Sequence, residues 1–183
     1  MNKETNILII VEGRRAEPKF FEQIKTAFGL KMEIYCLETN IYILYNKMKS
    51  TGFNGELKDI LLEMHPEYAE ILNRKFAYTY LIFDFDPQHT EEYQKDLPIE
   101  EIVSKNIIKI KEMSEYFVDE TDPTIGRLYI NYPMLESYKD CDSVFDNNYI
   151  NAYVNLYDVK DYKKHVGTKK LSNKRVDSYT RED

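Results

Sequence analysis

The run from Phe76 to Asp86, F-A-Y-T-Y-L-I-F-D-F-D, constrains this chain more than any other stretch. Its aromatic and β-branched side chains predict a buried strand. The run then stops on two carboxylates, Asp84 and Asp86. On an extended backbone, residues two apart point to the same side, so the spacing predicts that both acids leave the strand end together. Neighbouring carboxylates repel each other, and a divalent cation is the usual way to stabilise such a pair. An acidic loop after a buried strand has the same sequence pattern. The decision therefore falls on whether other acids reach the same place.

The rest of the chain predicts where they could come from. Ile7 to Val11 is a short β-branched run, closed by Glu12-Gly13. Pro18 suits a helix first turn, Phe20, Phe21, Ile24 and Phe28 follow at helical spacing, and Gly29 is a stop. Met32 to Leu37 predicts a second strand, which gives a βαβ opening. Residues 40–64 read as two helices split around Thr51-Gly52, and residues 66–74 as a shorter one. Residues 87–98 are polar and loop-like. A long helix then starts at Pro98, with Glu100 and Glu101 in its first turn complementing the helix dipole. Ile102, Val103, Ile107, Ile110, Met113 and Phe117 are expected to form its buried face. Ile125 to Asn131 is another apolar run, and a helix is expected through Tyr149 to Leu156. Strands separated by helices imply an α/β fold with a parallel sheet of about four strands. Residues 1–158 are expected to form that domain, and residues 159–183 a helical, basic C-terminal extension.

Charge narrows the partners. The chain of 183 residues carries −7, which argues against indiscriminate coating of DNA. The segment from Lys160 to Arg175 nevertheless carries +6, leaving −13 on the remainder. Lys163, Lys164, Lys169 and Lys170 in this strip could track a nucleic-acid backbone, or form a solvated tail. Arg14 and Arg15, beside a helix N-terminus, could hold a phosphate or neutralise Glu12 and Glu17. Cys36 and Cys141 lack motif spacing and read as reduced thiols, so a cytoplasmic location is expected. No apolar run is long enough to predict a membrane span or a signal peptide.

In open parallel sheets, function gathers at the carboxyl ends of the strands. Those ends here deliver Glu12, then Asp84 and Asp86, then Asn131 with Glu136 nearby. An oxygen-only donor set points to a hard cation, Mg²⁺ or Mn²⁺, and such sites most often serve attack at phosphorus.

V-E-G (Val11 to Gly13) on a first strand and D-F-D (Asp84 to Asp86) on a later one resemble a Toprim domain. The finer likeness is to the RloB-like and OLD-type nucleases. V-E-G-R-R-A-E-P-K-F-F resembles the opening "VEG-x-x-T-E-P-x-F-F", with Ala16 in place of Thr. I-N-Y-P-M-L-E-S-Y resembles an "S-N-P-x-F-E" segment, and Y-K-K-H-V-G-T-K-K a Lys-rich stretch near the C-terminus. The resemblance implies a Toprim-like, Rossmann-like fold and a metal-dependent nuclease, with a role in bacterial anti-phage defence. Carried over residue by residue, it implies Glu12 as general acid/base or metal ligand and Asp84 and Asp86 as metal ligands. Glu17 and Glu136 become further acids at the same edge. Two departures stand out: P-Q-H-T follows Asp86 where the pattern has Gly, and Tyr132 is inserted between Asn131 and Pro133. A second reading is a non-catalytic or partner-dependent Toprim-like effector subunit acting with an ATPase or other protein; a homo-oligomer is the other assembly the reading allows. A third is a flavodoxin-like sheet binding a small phosphate ligand, for which the Gly-rich loop is missing.

Overall fold

The computed structural model describes residues 6–132, 134, 135, 137, 154, 155 and 158–168. Strands β1 (Asn6–Val11), β2 (Lys31–Cys36), β3 (Tyr78–Asp84), β4 (Val118–Asp119) and β5 (Gly126–Asn131) form one sheet in the order β2-β1-β3-β5-β4. Every neighbouring pair is parallel except β4 with β5, which is antiparallel. The expectation of about four strands missed β4. Its two residues are exposed and carry no apolar run. They join the sheet because the side chains of Asp119 and Asp122 cap two successive turns that bring the chain back against β5.

Among the described residues, six α-helices surround the sheet: α1 (Ala16–Phe28), α2 (Ile41–Ser50), α3 (Leu57–Met64), α4 (Ala69–Leu72), α5 (Ile99–Tyr116) and α6 (Val159–Thr168). Gly29 ends α1 in the left-handed conformation, where the absence of a Cβ removes the steric penalty. Asn40 starts α2, its side-chain oxygen accepting the Tyr42 and Ile43 backbone N–H groups at 3.1 Å each. β1 is buried on both faces, as parallel strands require. Leu8 and Ile10 join a core with side chains of α2, α3 and α5, whereas Ile9 and Val11 pack with Phe21 of α1.

Two expectations change. The buried stripe of α5 is Ile102, Asn106, Lys109 and Met113, not a purely apolar face, and Ile107 is exposed. The helix is rotated so that two polar side chains reach inward to a loop described below. Val154 and Asn155 are not helical, and the remainder of the helix expected over Tyr149 to Leu156 lies outside the described residues. The basic helix α6 docks by Val159 and Val166, both buried. No helix among the described residues is long and apolar enough to cross a membrane.

Gly126, at the start of β5, has φ 79°, and a Cβ there would sit 2.9 Å from Leu81 Cδ1 and 3.2 Å from the Thr79 carbonyl oxygen. Gly126→Ala is expected to lower stability by roughly 2–4 kcal/mol, combining backbone strain with overpacking. Urea unfolding measures this directly, and an unchanged midpoint would contradict the close β3–β5 approach.

Candidate metal centre

The strand order places β1 between β2 and β3, so the chain leaves β1 towards one side and returns on the other. A crevice opens at such a switch point, outside the carboxyl ends of the two strands that diverge. Here those strands are β1 and β3. A cleft of about 430 Å³ lies there, lined by Glu12, Asp84, Phe85, Asp86, Gln88, Thr90, Met134, Val159 and Lys163.

Glu12 follows directly after β1. Its backbone is fixed by the chain leaving β2, where the Glu38 N–H donates to the Glu12 carbonyl at 2.8 Å. Its carboxyl is pushed up from 4.5 to about 7. Burial is the largest cause, followed by the charges of Asp84 and Glu17, with Lys163 opposing them. Glu12 is therefore poised to hold or release a proton near neutral pH.

Asp84 is the last residue of β3, and Asp86 lies just beyond the strand end. Both line the cleft, as the two-residue spacing predicts. One oxygen of Asp84, Oδ1, accepts the Leu135 backbone N–H at 2.7 Å and the Asn131 side-chain amide at 3.4 Å. Asn131 stands opposite Asp84 in the β3–β5 register. A fixed carboxylate on a rigid strand is what a preorganised ligand requires.

Lys163 brings α6 into the site and is the one cation among the described residues that line the cleft. The other sequence-predicted residues are placed differently. Glu17, in the first turn of α1, lies over Gly13 and acts on Glu12 through its charge without lining the cleft. Arg14 is ion-paired with Glu38, and Lys164 with Asp161 at 3.0 Å. Arg15 is exposed and precedes α1 without lining the cleft. Arg14 thus neutralises Glu38, where one of its two sequence readings gave Glu12 and Glu17. Glu136, Lys169 and Lys170 lie outside the described residues.

Sequence reasoning missed Gln88 and Thr90, which add an amide and a hydroxyl to the cleft. Their polar run after D-F-D was the available signal. It also missed a second group. Among the described residues, Glu38, His65 and Glu67 form the one set of three metal-ligating side chains whose ligand atoms all lie within 4.8 Å of one another. Glu12, Asp84 and Asp86 share a cleft without closing to that distance. The Glu38 set is already compensated internally. Arg14 pairs with Glu38, and the two His65 ring nitrogens face Glu67 Oε1 at 3.0 Å and the Leu37 carbonyl oxygen at 2.8 Å.

No family model, curated protein or solved structure matches the chain.

Proposed function

We propose that this chain is a Toprim-like, metal-dependent phosphodiesterase that cleaves nucleic acid, with Mg²⁺ or Mn²⁺ held by Asp84 and Asp86 and with Glu12 beside it as general acid/base. The observation that carries this reading is the convergence of three carboxylates, from the ends of two adjacent parallel strands, on one cleft that also holds a lysine. The donors there are carboxylate, amide and hydroxyl oxygens, which fit a hard cation. Bound at this edge, such a cation supplies an activated water and charge neutralisation at phosphorus. Glu12, ionising near neutral pH, holds or transfers the proton of the attacking or leaving oxygen. Lys163 offsets the charge of the backbone phosphate. Met134 and Val159 give the cleft an apolar wall. A place in anti-phage defence rests on the resemblance of the three motifs.

The test is purified protein with Mn²⁺ on single- and double-stranded DNA and RNA. Cleavage is expected, and Asp84→Asn should lower it at least about 100-fold while the fold survives. Full activity in that variant sinks the reading. One observation favours a partner-dependent effector instead: Arg14 and Lys164, two of the proposed backbone contacts, are engaged in ion pairs within the chain. Cleavage that appears only when a partner protein is added would support that alternative.

A further inference from the structure

Asp86 lies beyond the strand, yet it is not left to the loop that carries it. Phe85 makes the last backbone bond to the sheet, donating its N–H to the Asn131 carbonyl at 2.8 Å. The residues after it are held from α2 and α5. Tyr42 donates its hydroxyl to the Asp86 carbonyl at 2.7 Å, and the His89 N–H donates to the same oxygen at 3.1 Å. Asn106 spends both amide hydrogens on this turn, one on the Pro87 carbonyl at 2.9 Å and one on the His89 carbonyl at 2.7 Å. The His89 ring stacks on Tyr42 with centroids 5.2 Å apart and planes 7° apart. Its Nε2 meets the Asn40 amide at 3.3 Å.

The Asn106 side chain carries the argument furthest. It is fully buried on the core stripe of α5, where a leucine would ordinarily pack. Its two neighbours are both carbonyl oxygens, so the NH₂ group must face them and the amide orientation is fixed. Its own Oδ1 has no hydrogen-bond partner among the described residues. A buried acceptor without a partner destabilises, by about 1–3 kcal/mol. Asn106 carries that cost on the core stripe. Its two donors fix the turn immediately after Asp86, where Gln88 and Thr90 also enter the cleft.

Resting on the reading of Asp86 as a metal ligand, we propose that Tyr42 and Asn106 are positioning residues that hold Asp86 in the cleft from behind. Neither lines the cleft, and each acts through the backbone of residues 86–89. Groups that orient a metal ligand from behind set affinity by 10–100-fold in general.

Calorimetric titration of Mn²⁺ tests this on wild type, Tyr42→Phe, Asn106→Leu, Asp86→Asn and His65→Gln, with melting temperature measured for each. Tyr42→Phe keeps the ring stacked on His89 and leaves the Asp86 carbonyl one remaining donor, so its fold survives even if Asn106→Leu does not. The expected result is a Kd raised about 10-fold or more in Tyr42→Phe, at unchanged stoichiometry and nearly unchanged melting temperature. Asn106→Leu should weaken binding at least as much. A purely architectural role would lower melting temperatures and leave Kd where it was, and that overturns the proposal while the metal site stands. Wild type that binds no Mn²⁺, or Asp86→Asn that binds like wild type, overturns the metal reading and this proposal with it. Binding lost only in His65→Gln assigns the ion to the Glu38 set and has the same consequence.

Discussion

Glu12→Gln is expected to stabilise the protein at pH 8 while sharply lowering cleavage. The Glu12 carboxyl ionises at about 7 in the fold, against 4.5 ordinarily, with burial as the first cause and Asp84 as the second. Between those two values the folded state holds more proton than the unfolded state. Its contribution to stability is fully present below pH 4.5 and is lost as pH rises through 7. Above pH 7 the fold carries a half-buried charge facing other acids. Glutamine removes that charge and keeps the shape. The expected gain is of the order of 2–3 kcal/mol at pH 8 after allowing for solvent screening. That corresponds to roughly 5–10 °C in melting temperature, with little change at pH 4.5. Thermal scans in the presence of a chelator, at both pH values, isolate the effect from bound metal. Cleavage should fall by roughly 10²–10⁴-fold, the usual loss when a general acid or base is removed. Equal shifts at the two pH values would mean that Glu12 is not held near neutrality. Retained cleavage would remove it from the chemistry.

Lys109→Met is expected to give the largest loss of stability outside the apolar core. Lys109 and Glu91 form an ion pair with both side chains only 11% exposed. Burial alone would raise the Glu91 carboxyl, but bonds from Lys109, Asn46 and Tyr93 outweigh it and hold the carboxyl below its ordinary range. Burial would likewise lower Lys109, and Glu91 and Tyr93 outweigh that. The ammonium also lies 5.6–5.8 Å from the ring centres of Tyr42, Tyr45 and Tyr93. Methionine fills the space and keeps the aromatic contacts but leaves Glu91 charged and partnered only by neutral groups. Breaking one side of a buried pair destabilises by about 3–5 kcal/mol, which lowers the melting temperature by about 10 °C. Adding Glu91→Leu should recover much of the loss, because the stranded charge is the main penalty and not the missing attraction. If the double variant is no better than the single one, the aromatic enclosure and the capping of Gln94 by Glu91 hold the loop instead.

The Lys109–Glu91 pair and the residues that hold Asp86 meet at the same loop. Glu91 anchors its far end, Asn106 and Tyr42 its near end, and Asp86 lies at its start. Asn106 and Lys109 occupy α5 positions that sequence reading passed over in favour of Ile107. Period alone could have raised them, since Ile102, Asn106, Lys109 and Met113 recur at four, three and four residues. Composition hid them, because a polar residue on a helix is ordinarily read as solvated.

What the sequence determined by itself was the frame and the donors. Apolar runs ending in Glu12 and in Asp84 specified strands, helices between them specified parallel pairing, and strand periodicity put Asp84 and Asp86 at one edge. These properties are local, so a short stretch of chain carries them. Tertiary structure decided the rest. The order β2-β1-β3 brought Glu12 and Asp84 to one crevice, and α6 delivered Lys163 from far along the chain. The pairing of Arg14 with Glu38 and the burial that lifts Glu12 towards neutrality arise between segments distant in sequence. Burial, like the charge that opposes it, is a property of what the folded chain places around a side chain, and no local pattern records it.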